Sequence, residues 1–133
     1  MFTTRRGLLI GAVALAAAGC TRETAQIITS DADLTTALNT ARWLAAAADA
    51  LDFGDLAEDH RAHVTTLERL LRPNVVPVVE DLGQLPADDA ALAEAEATGS
   101  RQAADACLAT ESDFAVVLGE IAASRAAHAA VLA

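Results

Sequence analysis

The sequence contains no lysine and no tyrosine, and among its 133 residues it has only two cysteines, one tryptophan and three phenylalanines. It also lacks a glycine-rich phosphate loop, a Gly-x-Ser-x-Gly segment and a Cys-x-x-Cys pair. These absences argue against nucleotide hydrolysis, serine hydrolysis and thiol redox chemistry. Of the two cysteines, Cys20 closes an N-terminal processing pattern, which leaves Cys107 without an internal disulfide partner. We interpret Cys107 as a small core residue.

Positive charge is also scarce. The formal net charge is -10, with nine arginines as the only basic residues apart from histidine. Beyond residue 19, seven arginines stand against 19 acidic residues, a formal charge of about -12. A phosphate backbone requires a surface of the opposite sign, so no nucleic-acid partner is expected.

Residues 1–19 have the pattern of a lipoprotein signal peptide. Arg5 and Arg6 form a basic start, residues 8–18 form an apolar core, and a small-residue segment ends at Cys20. The core is too short to span a bilayer, which takes about 20 residues. Cleavage before Cys20 leaves a lipidated cysteine, whose two acyl chains make a stable membrane anchor. We therefore expect a lipid-anchored protein on the extracytoplasmic face of the cell membrane.

The export route has two interpretations. Thr4-Arg5-Arg6-Gly7-Leu8-Leu9 resembles the twin-arginine motif, which directs folded chains across the membrane. A general secretory signal that carries two adjacent arginines is the alternative. The processing site departs from the usual lipobox because Ala17 stands where leucine is common.

The rest of the chain is predicted to form a tether over residues 20–30 and one helical domain over residues 31–133. Alanine is abundant, which favours helix, and apolar residues recur at helical spacing in four segments. The predicted helices cover about residues 34–51, 55–72, 87–109 and 112–132. Asp52-Phe53-Gly54-Asp55 predicts a tight turn between the first two helices, and Gly99-Ser100 predicts a weak point or bend within the third.

The connection between the second and third helices, residues 73–86, is long. Fourteen extended residues reach roughly 45 Å, whereas a helix of 18 residues is about 27 Å long. The segment can therefore cross the whole bundle, with Val75, Val76, Val78 and Val79 covering an open seam. A β-strand is the alternative, but the prolines on either side of Val75 and Val76 and the lack of a partner strand disfavour it. Two short turns and one long crossover predict an all-α, antiparallel four-helix bundle of the ferritin type.

Two pairs of polar residues fall within the apolar stripes. His60 and His63 lie one turn apart in the second helix, and Arg125 and His128 repeat that spacing in the fourth. Ferritin-like di-iron sites use Glu-x-x-His on two helices. Here the two glutamate positions hold His60 and Arg125, and the first predicted helix contains no glutamate. A guanidinium cannot ligate a metal, so no di-iron centre is expected.

Two hypotheses for these side chains remain open. In the first, which we prefer on sequence grounds, Arg125 pairs with an acid such as Glu96 and the histidines hydrogen-bond within a polar core layer. The protein is then a non-enzymatic, cofactor-free binding or structural lipoprotein of unknown ligand, with a protein partner or a second copy left open. In the second, His60, His63, His128 and Glu96 hold a single metal ion.

Acidic pairs elsewhere have a simpler interpretation. Asp88 with Asp89, and Glu94 with Glu96, are interpreted as solvated acids near a helix start, because a catalytic pair needs a pocket that shifts one pKa. Trp43 lies beside the stripe of the first predicted helix and is interpreted as a packing residue.

The signal peptide, the segment Asp59-His60-Arg61-Ala62-His63 within Leu56–Leu71, and the segment Ile121–Ala129 together resemble a ferritin-like domain-of-unknown-function family of exported actinobacterial proteins. The resemblance covers most of the chain beyond the signal peptide. It implies a ferritin-like bundle and brings no assigned activity.

Overall fold

The computed structural model of the chain describes residues 31–72, 76, 78 and 81–133. These residues form four helices and contain no β-strand. The chain is helical over residues 31–50 (α1), and the other helices are α2 (Gly54–Leu71), α3 (Asp89–Ala109) and α4 (Phe114–Leu132). The predicted all-α four-helix bundle is confirmed. The predicted signal peptide with Arg5 and Arg6, the lipidation site Cys20 and the tether lie outside the described residues.

The turn between α1 and α2 forms where the sequence predicts it. Asp52 adopts a left-handed conformation with φ 65°. The Phe53 N–H donates to the Ala48 carbonyl at 2.9 Å, and the Asp52 N–H donates to the Asp49 carbonyl at 3.2 Å. These two bonds make a Schellman motif, which satisfies the last carbonyls of α1. Phe53 also packs in the same apolar cluster as Ala48, so the chain reverses sharply into α2.

The helices α3 and α4 begin at short polar residues. The Asp88 carboxylate accepts a hydrogen bond from the Ala91 N–H at 2.8 Å, which caps α3. The Ser112 hydroxyl accepts from the Phe114 N–H at 3.3 Å at the start of α4. In both cases a short polar side chain satisfies a free N–H of the first helical turn.

Gly99 lies within α3, which is helical without interruption from Asp89 to Ala109. At this position the helix packs closely against its neighbours. A Cβ at this position would lie 3.3 Å from Arg125 Cδ and 3.3 Å from Thr40 Cγ2. The missing side chain thus lets α1 and the Arg125 side chain approach the backbone of α3.

Two apolar clusters occupy opposite ends of the bundle. All four helices contribute to each, and we name each cluster after its first residue. The Leu34 cluster contains Leu34, Ala37, Leu38, Ala41, Leu67, Leu71, Ala103, Leu118, Ile121 and Ala122. The Leu44 cluster contains Leu44, Ala47, Ala48, Ala57 and Leu92, with Trp43, Leu51, Phe53, Leu56, Leu85, Ala95 and Leu132 packed against them.

The clusters also give the direction of each helix. Along α1 and α4 the chain passes from the Leu34 cluster to the Leu44 cluster, and along α2 and α3 it passes the other way. Because α2 and α3 are parallel, their connection has to cross the length of the bundle, which confirms the predicted crossover. Val76 packs against the Leu34 cluster and Leu85 against the Leu44 cluster, at the two ends of this path.

The described residues of the crossover differ in how they pack against the bundle. The Trp43 indole N–H donates to the Gln84 carbonyl at 3.3 Å and fixes the end of the connection on α1. Of the valines expected to cover a seam, Val76 does pack inward, but Val78 is 83% exposed, so that prediction is wrong for Val78. Val75 and Val79 lie outside the described residues.

Within the described part of the chain, α4 is the one helix long and apolar enough to cross a membrane, with a mean hydropathy of 1.4. Its bundle-facing side nevertheless carries Arg125 and His128, which are both buried against other helices. We therefore describe α4 as a bundle helix.

Candidate metal centre

A polar layer separates the two apolar clusters. Its members are His60 and His63 from α2, Glu96 from α3, and Arg125 and His128 from α4. His60 and Glu96 are fully buried, Arg125 is 1% exposed and His128 is 8% exposed, while His63 is half-buried. The interpretation of Glu96 as a solvated acid is therefore wrong.

The imidazoles of His60 and His128 converge on one oxygen of the Glu96 carboxylate. His60 Nε2 lies 2.6 Å from Glu96 Oε1 in a buried hydrogen bond. His128 Nδ1 lies 3.4 Å from the same oxygen, within ion-pair distance but without hydrogen-bond geometry. One ligand-type atom from each of the three residues lies within 4.8 Å of the other two. The imidazoles of His60 and His128 meet edge to face, with ring centroids 5.1 Å apart.

The electrostatics of the layer favour a positive charge beside Glu96. Burial alone raises the pKa of Glu96, but the contacts with His128 and His60 outweigh it and hold that pKa below its usual value. The contact with Glu96 raises the pKa of His128, burial opposes this, and Asp59 adds to the increase. A buried carboxylate thus stays ionised because cationic or hydrogen-bonding groups face it.

Asp59 belongs to the site although no pattern in the sequence distinguishes it. His128 Nε2 donates to Asp59 Oδ2 at 3.2 Å, and the Asp59 side chain is 63% exposed. The available signal was its position directly before His60. One acid in a strongly acidic chain, however, does not stand out by composition.

The structure does not bring His63 into this group. Its ring centroid lies 6.1 Å from that of His60, and the converging set consists of His60, Glu96 and His128. Burial and the neighbouring positive groups, including Arg125, lower the pKa of His63 to about 4. Of the four predicted ligands, therefore, His60, Glu96 and His128 lie close together, and His63 is not part of the group.

Arg125 is a buried polar residue, as predicted, but its expected ion pair with Glu96 is not formed. Its Nη1 donates to the Gly99 carbonyl at 3.2 Å and its Nη2 to the Ala37 carbonyl at 3.1 Å. Burial lowers the pKa of Arg125 to about 10, and the Glu96 charge partly opposes that effect. The guanidinium therefore links α4 to α1 and α3.

The converging set fits a metal ion in two respects. Tetrahedral ligands at about 2.1 Å from a metal lie about 3.4 Å from one another. The separation of His128 Nδ1 from Glu96 Oε1 is 3.4 Å, so this pair already has that spacing. The 2.6 Å separation of His60 Nε2 from Glu96 Oε1 would have to lengthen by about 0.8 Å.

The second respect is the set of unpaired polar atoms. Buried polar atoms without a hydrogen-bond partner are uncommon in native proteins, and each one calls for an explanation. Among the described residues there are six such side-chain atoms. Five lie in this layer, namely His60 Nδ1, His63 Nδ1, Glu96 Oε2, Arg125 Nε and His128 Nδ1, and the sixth is Asn39 Oδ1, outside it. A cation bound by His128 Nδ1 and Glu96 Oε1 would satisfy His128 Nδ1, and coordination through Glu96 Oε2 as well would satisfy a second unpaired atom.

Comparison of the chain with protein-family models, with curated proteins and with solved structures finds no match. The resemblance to the ferritin-like family of exported actinobacterial proteins thus remains a prediction from the sequence.

Proposed function

We propose that this protein binds one divalent transition-metal ion, with Zn²⁺ as the best-suited example, through His60, Glu96 and His128. One observation carries the proposal: three helices place two imidazoles and a carboxylate within 4.8 Å of one another in a buried layer. Two nitrogen ligands and one oxygen ligand suit zinc, and copper and iron also accept them. The role is binding, and no catalytic step is assigned.

The surroundings support a single ion. The Arg125 guanidinium lies in the same core and interacts electrostatically with Glu96. It would repel a bound dication, and a second dication would increase the total repulsion between positive charges. Asp49, an acid near the end of α1, is half exposed and pairs with Arg61. Among the described residues Glu96 is the one buried carboxylate of this layer, whereas a ferritin-type two-metal centre uses four.

The metal-free hypothesis has its own support in the short hydrogen bond between His60 and Glu96. In that form a proton on His128 balances the Glu96 charge, and the layer acts as a structural element of the core. Both hypotheses use the same residues, so stoichiometric metal binding decides between them.

The proposal also includes the cellular setting predicted from the first 20 residues. Export through the signal at Arg5 and Arg6, followed by lipidation of Cys20, would place the bundle at the outer face of the membrane. If the route is the twin-arginine pathway, the chain crosses folded and the metal can enter before export.

The test is titration of the full chain in detergent with Zn²⁺ after treatment with a chelator. We expect one Zn²⁺ per chain by calorimetry and by elemental analysis. His128→Gln should weaken binding by on the order of a hundredfold, because even loss of an outer partner costs ten- to a hundredfold. His63→Gln is the matched control and should bind as the wild type does. Absence of stoichiometric Zn²⁺ contradicts the proposal, and equal weakening by both variants contradicts the assigned ligand set.

A further inference from the structure

Asp59 and His128 form a contact that reaches from the surface to the buried layer. His128 Nε2 donates to Asp59 Oδ2 at 3.2 Å, while Nδ1 of the same ring faces Glu96 Oε1 at 3.4 Å. We propose that Asp59 is the positioning residue of the cation site, which orients His128 so that Nδ1 is the ligand atom. This inference rests on the proposed metal binding and assigns Asp59 a role outside the ligand set.

The physical reason is the asymmetry of imidazole. The two ring nitrogens are distinct, and the hydrogen bond made by one decides which lone pair the other presents. A carboxylate only accepts hydrogen bonds, so contact with Asp59 keeps the proton on Nε2 and leaves Nδ1 available. Rotation of the ring by 180° would place a carbon atom next to Glu96. The Asp59 contact disfavours that orientation.

The placement of Asp59 follows from the geometry of α2. Asp59 and His60 are consecutive, so they project from the helix about 100° apart. His128 of α4 faces α2 and contacts both of these residues. Its Nε2 contacts Asp59, and its ring meets the His60 ring at an interplanar angle of 88°. Two adjacent residues of α2 thus hold the His128 imidazole, one from the solvent side and one from the core.

The other groups around His128 do not perform this role. Glu96 faces Nδ1, not Nε2. Arg125, one turn earlier on α4, donates to two backbone carbonyls. Within the described part of the chain, Asp59 is the hydrogen-bond partner of His128 Nε2.

The test compares two neutralised acids on the full chain in detergent. Asp59→Asn and Glu58→Gln each remove one negative charge from neighbouring exposed positions of α2. Asp59→Asn should weaken Zn²⁺ binding ten- to a hundredfold, the usual cost of losing an outer carboxylate partner of a ligating histidine. Glu58→Gln should leave Zn²⁺ affinity unchanged. Because the change in charge is the same, the difference isolates the contact with His128.

Two further measurements separate positioning from a general effect on the fold. Asp59→Glu keeps the charge but displaces the carboxylate, so we expect an affinity between those of the wild type and Asp59→Asn. Co²⁺ used as a probe in place of Zn²⁺ should give a visible absorption spectrum that changes in Asp59→Asn and not in Glu58→Gln, because the spectrum reports ligand geometry.

The outcomes distinguish the two proposals. A wild-type chain that binds no Zn²⁺ refutes the metal site and this inference with it. A wild-type chain that binds Zn²⁺ with the same affinity and Co²⁺ spectrum as Asp59→Asn overturns the inference alone. Equal weakening by Glu58→Gln and Asp59→Asn also overturns it, because the effect would then be one of surface charge.

Discussion

Replacement of Arg125 by methionine, combined with replacement of Glu96 by glutamine, tests whether the guanidinium is a bridge between helices or the counter-ion of Glu96. In the structure it donates to the Ala37 and Gly99 carbonyls. A hydrogen bond from a charged donor contributes about 1.5–3 kcal/mol net. Both carbonyls also lie within helices, whose own N–H groups already serve them, and methionine retains much of the buried volume.

We expect Arg125→Met to lower the free energy of unfolding by about 2–3 kcal/mol, because relief of the buried charge offsets part of the two lost bonds. A broken buried ion pair would cost about 3–5 kcal/mol and would leave Glu96 without its partner. These ranges meet, so the single variant does not separate the two interpretations.

A double-mutant cycle with Glu96→Gln separates them. The two side chains influence each other electrostatically but form no ion pair, so we expect a coupling energy of about 1 kcal/mol or less. The assay is urea unfolding of the full chain in detergent with a chelator present, with Arg125→Lys as the variant that keeps the charge. A coupling energy of about 3 kcal/mol would refute the bridge interpretation.

Two further predictions concern packing and pH. Gly119→Ala should stabilise the protein by up to about 1 kcal/mol, because the new Cβ would meet only Cys107 Sγ at 3.4 Å. Gly99→Ala should not stabilise it, because that Cβ would lie 3.3 Å from Arg125 Cδ and from Thr40 Cγ2. If urea unfolding showed the same gain in stability for both variants, the close packing of α1 against α3 would be contradicted. The folded-state pKa of His63, about 4, lies below its value of 6.5 when unfolded, so the unfolded chain takes up this proton first and stability falls as the pH drops from 6.5 to 4. In His63→Gln this loss of stability should be smaller by about 1–2 kcal/mol, a value that allows for solvent screening of a half-buried group. The measurement is urea unfolding at both pH values with a chelator present. If the variant showed the same pH dependence as the wild type, the lowered pKa of His63 would be contradicted.

The fold could be predicted from the sequence because its signals are local. Helical spacing identified the buried faces of α2 and α4, the segment around Asp52 marked a reversal, and residues 73–86 were long enough for a crossover. Each depends on residues near one another in the chain. The two histidine-bearing turns were identified for the same reason.

The contacts of the site were harder to predict from the sequence, because the side chains that meet there come from different helices. The buried face of α3 runs through Leu92, Glu96, Gly99 and Ala103. Alanine is frequent on the other faces of α3 as well, so hydrophobic spacing does not mark the buried face. The sequence therefore does not show that Glu96 points inward. The reach of Arg125 to the carbonyls of α1 and α3 depends on the missing side chain at Gly99, a contact that only the folded chain shows.

Diffraction from crystals of the full chain grown with Zn²⁺, recorded at the zinc absorption edge, locates the bound ion. We expect one anomalous peak per chain about 2.1 Å from His60 Nε2, His128 Nδ1 and a Glu96 oxygen, with Asp59 still bonded to His128 Nε2. Peaks confined to surface acids, with the hydrogen bond between His60 and Glu96 intact, would contradict the proposed metal site.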